Sequence, residues 1–162
     1  MTSDKNEIGK QVLILDGAMG TMVQNLGLTD TAFGGPEFKM LTDLLVFSRP
    51  DDLEGIHLEY LQAGANLIET DTFGASPLRL KEFNFSKFDP SDLKAIPDQL
   101  DMKTCSLESL TLELNIEGCR IAKRAIKKYR SQSDYDGRPL FVAGSIGPSN
   151  YVVSSTEANL NK

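Results

Sequence analysis

Short runs of apolar residues alternate along the chain with longer segments in which apolar residues recur every three or four positions. The short runs occupy residues 12–15, 66–70 and 140–143, where branched or aromatic side chains are frequent. Continuous apolar character over a few residues is typical of a strand that is buried on both faces of a parallel sheet. The pattern therefore predicts three short, buried strands.

Two longer segments have the apolar spacing of amphipathic helices. In residues 51–63 the apolar positions are Leu53, Ile56, Tyr60 and Leu61. Pro50 and the acidic pair that follows it suit the first turn of this helix, and Gly64 suits its C-terminal end. Residues 106–130 carry the longest helical pattern, and basic residues crowd its end, where cations complement the helix dipole. We predict one helix in each segment.

The remaining segments are predicted to be less regular. Residues 1–11 form a polar lead, Gly34-Gly35-Pro36 marks a loop, and a short helix is expected to begin within residues 78–83. Residues 84–104 contain two prolines and scattered charges, so we interpret them as an irregular insertion.

The order strand, helix, strand, helix, strand is typical of an α/β fold with parallel strands. Each predicted strand ends in a loop rich in Gly, Asp, Ser or Thr. In such folds ligands bind at the carboxyl ends of the strands, so the three loops belong to one candidate site.

Composition narrows the class of protein. The 162 residues are 40% hydrophobic and 25% charged, which is ordinary for a globular domain. No apolar run is long enough for a membrane helix, and the polar start differs from a signal peptide, so we expect a cytoplasmic protein with no membrane partner. The net charge of -6 argues against nucleic acid as a partner, because phosphate binding needs a concentrated positive face.

Cysteine and histidine are scarce. Cys105 and Cys119 form no CxxC pair, and two isolated cysteines in a cytoplasmic chain are usually reduced and structural. His57, the single histidine, lies on the predicted helix and is interpreted as structural. We find no spacing typical of a metal site or of a catalytic triad.

The three loops together offer groups that suit a zwitterion such as an amino acid. Asp16 stands beside the backbone N–H groups of residues 17–18, residues 69–73 add acids, hydroxyls and a ring, and Ser145 lies in a glycine-framed loop. A carboxylate would hold an ammonium group, and free N–H groups would hold a carboxylate.

Each of these residues also has a simpler interpretation. Asp16 could be a helix N-cap or a turn residue. The pair Gly17 and Gly20 could hold a phosphate at a helix start, although the Lys-Ser/Thr of a P-loop is missing. Phe73 could be a core residue.

Taken together, the loops resemble one enzyme family. LDGAMGTM at residues 15–22, AGANLIETDTFGAS at residues 63–76 and FVAGSIGPSN at residues 141–150 are similar to the first three strand-loop units of the homocysteine S-methyltransferases. Residues 48–65 are similar to the first barrel helix of that family. The sequence motifs LDGAMGT and GSIGP resemble the cobalamin-dependent methionine synthase type more than the betaine-dependent relatives.

The resemblance implies an incomplete (β/α)8 TIM barrel, of which residues 12–162 supply the first three strand-loop-helix units, with the insertion at about residues 84–104. It implies transfer of a methyl group from methylcobalamin to the thiol of homocysteine, which gives methionine. Zinc would hold that thiol as the more nucleophilic thiolate. The implied partners are homocysteine and the remaining barrel, cobalamin and folate modules of a longer enzyme.

By motif match, the resemblance assigns substrate contacts to five residues. Asp16 and Gly17 would contact the amino and carboxylate groups of homocysteine, Thr70 and Phe73 would line the pocket, and Ser145 would face it from the third loop. We assign no catalytic residue.

The chain departs from the family pattern at two points. Asp71 replaces the usual Asn and is expected to add a charge at the pocket rim. The family binds zinc through three cysteines late in the barrel, and neither Cys105 nor Cys119 matches them. We therefore expect no ligand for zinc or cobalamin in this chain, and no activity from it alone.

A closed barrel needs about 250 residues. Three parallel strands cannot close and leave an open edge, so we expect the chain alone to be unstable or to self-associate. It is interpreted as the amino-terminal part of an enzyme. The alternative is a non-catalytic partial-barrel module that binds a small molecule or needs a complementing chain.

Overall fold

The computed structural model describes residues 12–94, 96–97 and 100–148. Within these ranges the helices and strands are, in chain order, α1 (Met19–Asn25), α2 (Leu45–Ser48), α3 (Pro50–Gln62), β1 (Leu67–Glu69), α4 (Pro77–Leu80), α5 (Leu107–Arg130) and β2 (Phe141–Ala143). Short 3-10 helices lie at Asp30–Phe33, Pro36–Phe38, Thr42–Leu44, Phe85–Lys87 and Pro90–Asp92. The polar lead at residues 1–11 and the last two residues of the third loop motif lie outside the described residues.

The strands lie side by side in chain order and run parallel. β1 pairs with β2, with Ile68 opposite Val142, and the first segment joins β1 through a parallel bridge between Leu15 and Leu67. The buried side chain of Asn66 links all three: its Oδ1 accepts the N–H of Ile14 at 3.1 Å, and its Nδ2 donates to the Pro139 carbonyl at 3.1 Å. The predicted parallel α/β order is confirmed.

The first predicted strand differs from expectation. The segment forms a single parallel bridge to the described part of the sheet, and Val12, Ile14 and Leu15 are 91%, 57% and 51% exposed. The segment is extended, since the Ile14 carbonyl accepts the N–H groups of residues 66 and 67, but among the described residues β1 is the only strand beside it. The prediction of a strand buried on both faces is therefore wrong here. No element within the described ranges covers the other edge of this segment or the outer parts of its side chains. The side chains of β2 are likewise only half-buried.

Helices α3 and α5 confirm the two predicted amphipathic helices. α3 ends in a Schellman motif: Gly64, at φ 110°, donates to the Leu61 carbonyl and Ala65 donates to the Tyr60 carbonyl. α5 begins after Ser106, whose hydroxyl accepts the Ser109 N–H at 3.1 Å as an N-cap. The two helices pack on each other and cover one face of β1, where Ile68 is fully buried.

Much of the core comes from segments without a helical or strand pattern. Residues 41 and 44–47 are fully buried, and the ring of Phe38 contacts those of Phe83, Phe85 and Phe88 at centroid distances of 5.9, 5.3 and 5.3 Å. The described part of residues 84–104 contains only short 3-10 helices, in line with the predicted irregular structure, and four of its apolar side chains lie in the core. Those side chains are Phe85, Phe88, Leu100 and Met102.

Candidate functional site

Asp16 lies at the end of the first extended segment, half-buried beside β1. Its Oδ2 accepts the backbone N–H of Glu69 at 2.9 Å, whereas its Oδ1 is buried without a hydrogen-bond partner. Burial raises the pKa of Asp16 to about 6, although the Glu69 N–H opposes the rise. Helix α1 has Ala18 as its N-cap and no capping side chain, so the interpretation of Asp16 as a helix N-cap is wrong.

Gly17 faces helix α3. A Cβ atom at this position would lie 3.1 Å from the ring of Tyr60, and the Tyr60 hydroxyl donates to the Ala18 carbonyl at 3.4 Å. The first loop therefore lies directly on this ring, and glycine permits the close approach. The exposed side of Gly17 leaves its backbone accessible.

Thr70 and Ser145 join the second loop to the third through a closed set of hydrogen bonds. The Ser145 N–H donates to Thr70 Oγ1 at 3.0 Å, and the Thr72 hydroxyl donates to the Ser145 carbonyl at 3.1 Å. The hydroxyls of Thr70 and Thr72 lie 2.7 Å apart. Because the Thr72 hydroxyl already donates its proton to Ser145, Thr70 is the donor in this pair. All three residues are buried, and the Thr70 hydroxyl is fully used inside the protein.

Phe73 lies at the surface, with 60% of the residue exposed, and is not a core residue. Its carbonyl accepts the N–H of Gly147 at 2.9 Å. A Cβ atom on Gly147 would lie 2.5 Å from that carbonyl oxygen and 2.7 Å from the ring. The third loop therefore approaches Phe73 as closely as only glycine permits.

Two buried acids lie beneath the second loop. Asp71 is 4% exposed and is not at the rim, which corrects the expectation for this position. Its Oδ1 accepts the Thr42 hydroxyl at 3.2 Å, and its Oδ2 is buried without a partner. Burial and the nearby charge of Asp43 raise the pKa of Asp71 to about 7.

Asp43 was not predicted as a site residue. It is 3% exposed and accepts the N–H of Gly74 at 2.7 Å. Burial raises the pKa of Asp43 to about 6, and backbone N–H groups, including those of Gly74 and Ala75, oppose the rise. A single acid inside the apolar stretch at residues 41–47 is the sequence signal that could have identified it.

A cleft of about 380 Å³ opens next to these loops. Its lining includes Asp43, Phe73, Arg79, Glu82 and Gly147. The structure thus brings Thr70, Phe73 and Ser145 into one assembly of loops. Asp16 is joined to it through the backbone of Glu69, the neighbour of Thr70, while Gly17 contacts Tyr60 of α3.

The two cysteines and the histidine lie away from the loops. In the described part of the chain no group of three or more His, Cys, Asp or Glu side chains could hold a metal ion. Cys119 lies on α5 and Cys105 just before it, both free and partly buried. His57 is buried in α3 with an unpaired Nδ1, and burial lowers its pKa to about 4. No described helix is both long and apolar enough to cross a bilayer.

The sequence profile of the homocysteine S-methyltransferases matches residues 13–162. The chain belongs to this family. The match spans all three loops of the candidate site, so the family assignment and the loop assembly concern the same residues.

Two crystal structures of the homocysteine methyltransferase MmuM from Escherichia coli have a similar fold. The metallated form is 24% identical with a TM-score of 0.59, and the match covers 89% of this chain and 41% of that one. The oxidized form is 25% identical with a TM-score of 0.56, and the match covers 96% of this chain and 41% of that one. The chain therefore has the fold of part of a homocysteine methyltransferase barrel and spans about two fifths of the length of these structures.

Proposed function

We propose that this chain supplies one wall of a homocysteine pocket in an enzyme that transfers a methyl group to the homocysteine sulfur and so forms methionine. The observation that carries the proposal is the state of Asp16. One carboxylate oxygen is fixed by the Glu69 N–H, and the other is buried without a partner. A buried, unpaired acceptor is costly unless a ligand completes it, and the ammonium group of an amino acid would do so.

The neighbouring groups suit the rest of the same ligand. The accessible backbone of Gly17 would bind the carboxylate of homocysteine, and the exposed ring of Phe73 would cover its apolar stem. Thr70 and Ser145 would shape the pocket through their mutual hydrogen bonds, since the Thr70 hydroxyl is already engaged.

In the proposed reaction the thiol of homocysteine loses its proton, and the sulfur forms a bond to the methyl carbon. The bond between that carbon and the donor breaks, and its electron pair stays with the donor. The residues described above would bind and orient homocysteine. The group that takes this proton is proposed to lie in the rest of the enzyme.

The proposed donor is methylcobalamin. The support is the similarity of LDGAMGT and GSIGP to the methionine synthase type, and the cobalamin and folate modules of such an enzyme would be the partners. The family resemblance also implies zinc. The described residues do not fit a zinc site, because Cys105 and Cys119 lie on or next to α5 and no cluster of ligands exists among them. Zinc would be held elsewhere in the enzyme.

A second candidate is the partial-barrel module that needs a complementing chain. The exposure of Val12, Ile14 and Leu15 favours it, because these apolar side chains are suited to burial by further barrel elements. Co-expression with a separate chain that carries the remaining strands distinguishes the two arrangements. Recovery of homocysteine methyltransferase activity only in the mixture supports the module.

Homocysteine titration of the isotope-labelled chain, followed by amide NMR, tests the proposed pocket. We expect the signals of Gly17 and Glu69 to shift, and Asp16→Asn to weaken binding by about tenfold, the loss of one charge-assisted hydrogen bond. Asp134→Asn is the matched control, since it removes a charge from an exposed turn. Equal affinity of the Asp16 and Asp134 variants would exclude Asp16 from the site.

A further inference from the structure

The loop that carries Phe73 is held from below by a carboxylate that the family motifs do not include. Asp43 lies in the 3-10 helix Thr42–Leu44 and is 3% exposed. Its Oδ1 accepts the Gly74 N–H at 2.7 Å, a short, charge-assisted contact to the residue that follows Phe73. A carboxylate is costly to bury, so its presence here demands a compensating contact, and the loop backbone provides it.

Asp43 and the loop are in close contact at Gly74. A Cβ atom on Gly74 would lie 2.8 Å from Asp43 Oδ2 and 3.0 Å from a methyl group of Leu41. The backbone of Gly74 therefore rests directly on the carboxylate. A side chain at this position would require the loop, Asp43 or Leu41 to shift.

A second contact holds the loop on the other side of Phe73. The hydroxyl of Thr42, the neighbour of Asp43, donates to Asp71 Oδ1 at 3.2 Å. Two consecutive residues thus hold the loop at positions 71 and 74. Phe73 lies between positions 71 and 74, so contacts on both sides of it in the chain restrain its main chain.

The ring of Phe73 contributes little to its own placement, because 60% of the residue is exposed and little apolar area is buried. Its position depends on backbone contacts: the Gly74 N–H donates to Asp43 Oδ1, and the Gly147 N–H donates to the Phe73 carbonyl at 2.9 Å. Loss of the Asp43 contact would loosen the loop at Gly74, next to Phe73.

We propose that Asp43 is a positioning residue of the homocysteine pocket, which acts by binding the Gly74 backbone and so fixing Phe73 against the ligand. The role in binding rests on the proposed function, whereas the role in holding the loop does not. The two parts therefore need separate measurements on the same variants.

The test compares Asp43→Asn, Asp43→Ala and Asp43→Leu in the full chain. Asn retains an oxygen acceptor for Gly74, Ala removes it, and Leu removes it while filling a similar volume, so that Leu decides the question if the Ala variant does not fold. Asp30→Asn is the control, because Asp30 is an exposed acid in a different 3-10 helix, where it forms a surface ion pair with Lys39.

Amide hydrogen exchange measures the loop without ligand. We expect Gly74 to exchange about tenfold faster or more in the Ala and Leu variants, with wild-type rates in the Asn variant and at Leu114 in the centre of α5. Homocysteine affinity, from the same NMR titration, is expected to fall by about tenfold in the Ala and Leu variants and to be retained in the Asn variant.

Wild-type exchange of Gly74 in both the Ala and Leu variants would overturn the proposal. Faster exchange with unchanged homocysteine affinity would overturn the part that concerns the pocket. If the wild-type chain does not bind homocysteine, the proposed function fails, and the exchange rates still decide whether Asp43 holds the loop.

Discussion

Asp71→Asn should stabilise the chain, and the gain should grow with pH. Asp71 is 4% exposed, its Oδ1 accepts only the Thr42 hydroxyl, and its Oδ2 has no partner. Burial and the charge of Asp43 raise its pKa from 3.8 to about 7. The ionised carboxylate is therefore the unfavourable form in the folded state, and a neutral amide of the same shape avoids that cost.

The magnitude follows from linkage. A group whose pKa is higher in the folded than in the unfolded state binds more protons when folded. Its contribution to stability is present below pH 3.8 and is lost as the pH rises to about 7. The full loss is about 4 kcal/mol, of which about 2 kcal/mol falls between about pH 5.5 and about pH 8. We expect Asp71→Asn to remove this part of the pH dependence.

Urea denaturation followed by far-UV circular dichroism is the assay, because α3 and α5 supply a strong helical signal. Wild type, Asp71→Asn and the exposed control Asp134→Asn are compared at about pH 5.5 and about pH 8 and at one protein concentration, so that any association affects all three alike. The free energy of unfolding of Asp71→Asn should exceed that of wild type by about 2 kcal/mol more at the higher pH.

Two results would refute this reasoning. If Asp71→Asn lowers the free energy of unfolding at the higher pH, the ionised carboxylate makes a favourable contact in the folded state, and its burial is not unfavourable. If the difference between wild type and variant is the same at both pH values, Asp71 does not titrate with a raised pKa. In the variant, Asp16 and Asp43, whose pKa values also rise to about 6, should contribute a slope of the same sign, and His57, whose pKa burial lowers to about 4, a slope of the opposite sign.

Three further predictions concern other parts of the chain. Homocysteine affinity should fall as the pH drops through about 6, because protonated Asp16 cannot attract the ammonium group; a titration at several pH values with constant affinity would contradict this. Arg138→Ala should lower the free energy of unfolding by about 1–3 kcal/mol in urea titrations. The reason is that the guanidinium donates to the Leu61 carbonyl and to the Tyr129 hydroxyl and lies 5.0 Å from the Tyr129 ring. A change below about 0.5 kcal/mol would contradict this prediction. The chain should self-associate through its first segment, and Ile14→Lys should reduce the association in sedimentation velocity; a wild-type monomer with a sharp, cooperative unfolding transition would refute this.

The sequence predicted the elements whose information is local. α3 and α5 were predictable because their signals are local: periodic apolar residues in both, Pro50 and Gly64 at the ends of α3, and basic residues at the end of α5. The parallel order of the strands followed from the alternation of elements. The three loops were predicted to belong to one site, and the bonds between Thr70 and Ser145 bring two of them together.

Features that depend on distant contacts were not predictable. The ring cluster around Phe38 joins residues more than forty positions apart, and neither partner segment has a periodic pattern. The burial of Asp71 follows from the packing of Thr42 and Asp43 under the second loop, which a loop motif does not encode. The exposure of Val12 was not predicted, because an apolar run indicates that a strand is suited to burial but does not show whether another element packs against it.

Within the described residues, the contacts of the loops are largely satisfied, whereas the apolar surface of the sheet is only partly covered. Thr70, Thr72 and Ser145 satisfy one another's hydrogen bonds, and Asp43 and Gly147 hold the loop at Phe73 from two sides. The apolar side chains of the first segment, by contrast, remain open to solvent. Elements that cover this segment would gain energy mainly from apolar burial, and they would meet loops whose backbone contacts already exist. In such an arrangement the loops of the proposed pocket are preorganised locally, whereas the stability of the sheet depends on what packs against it.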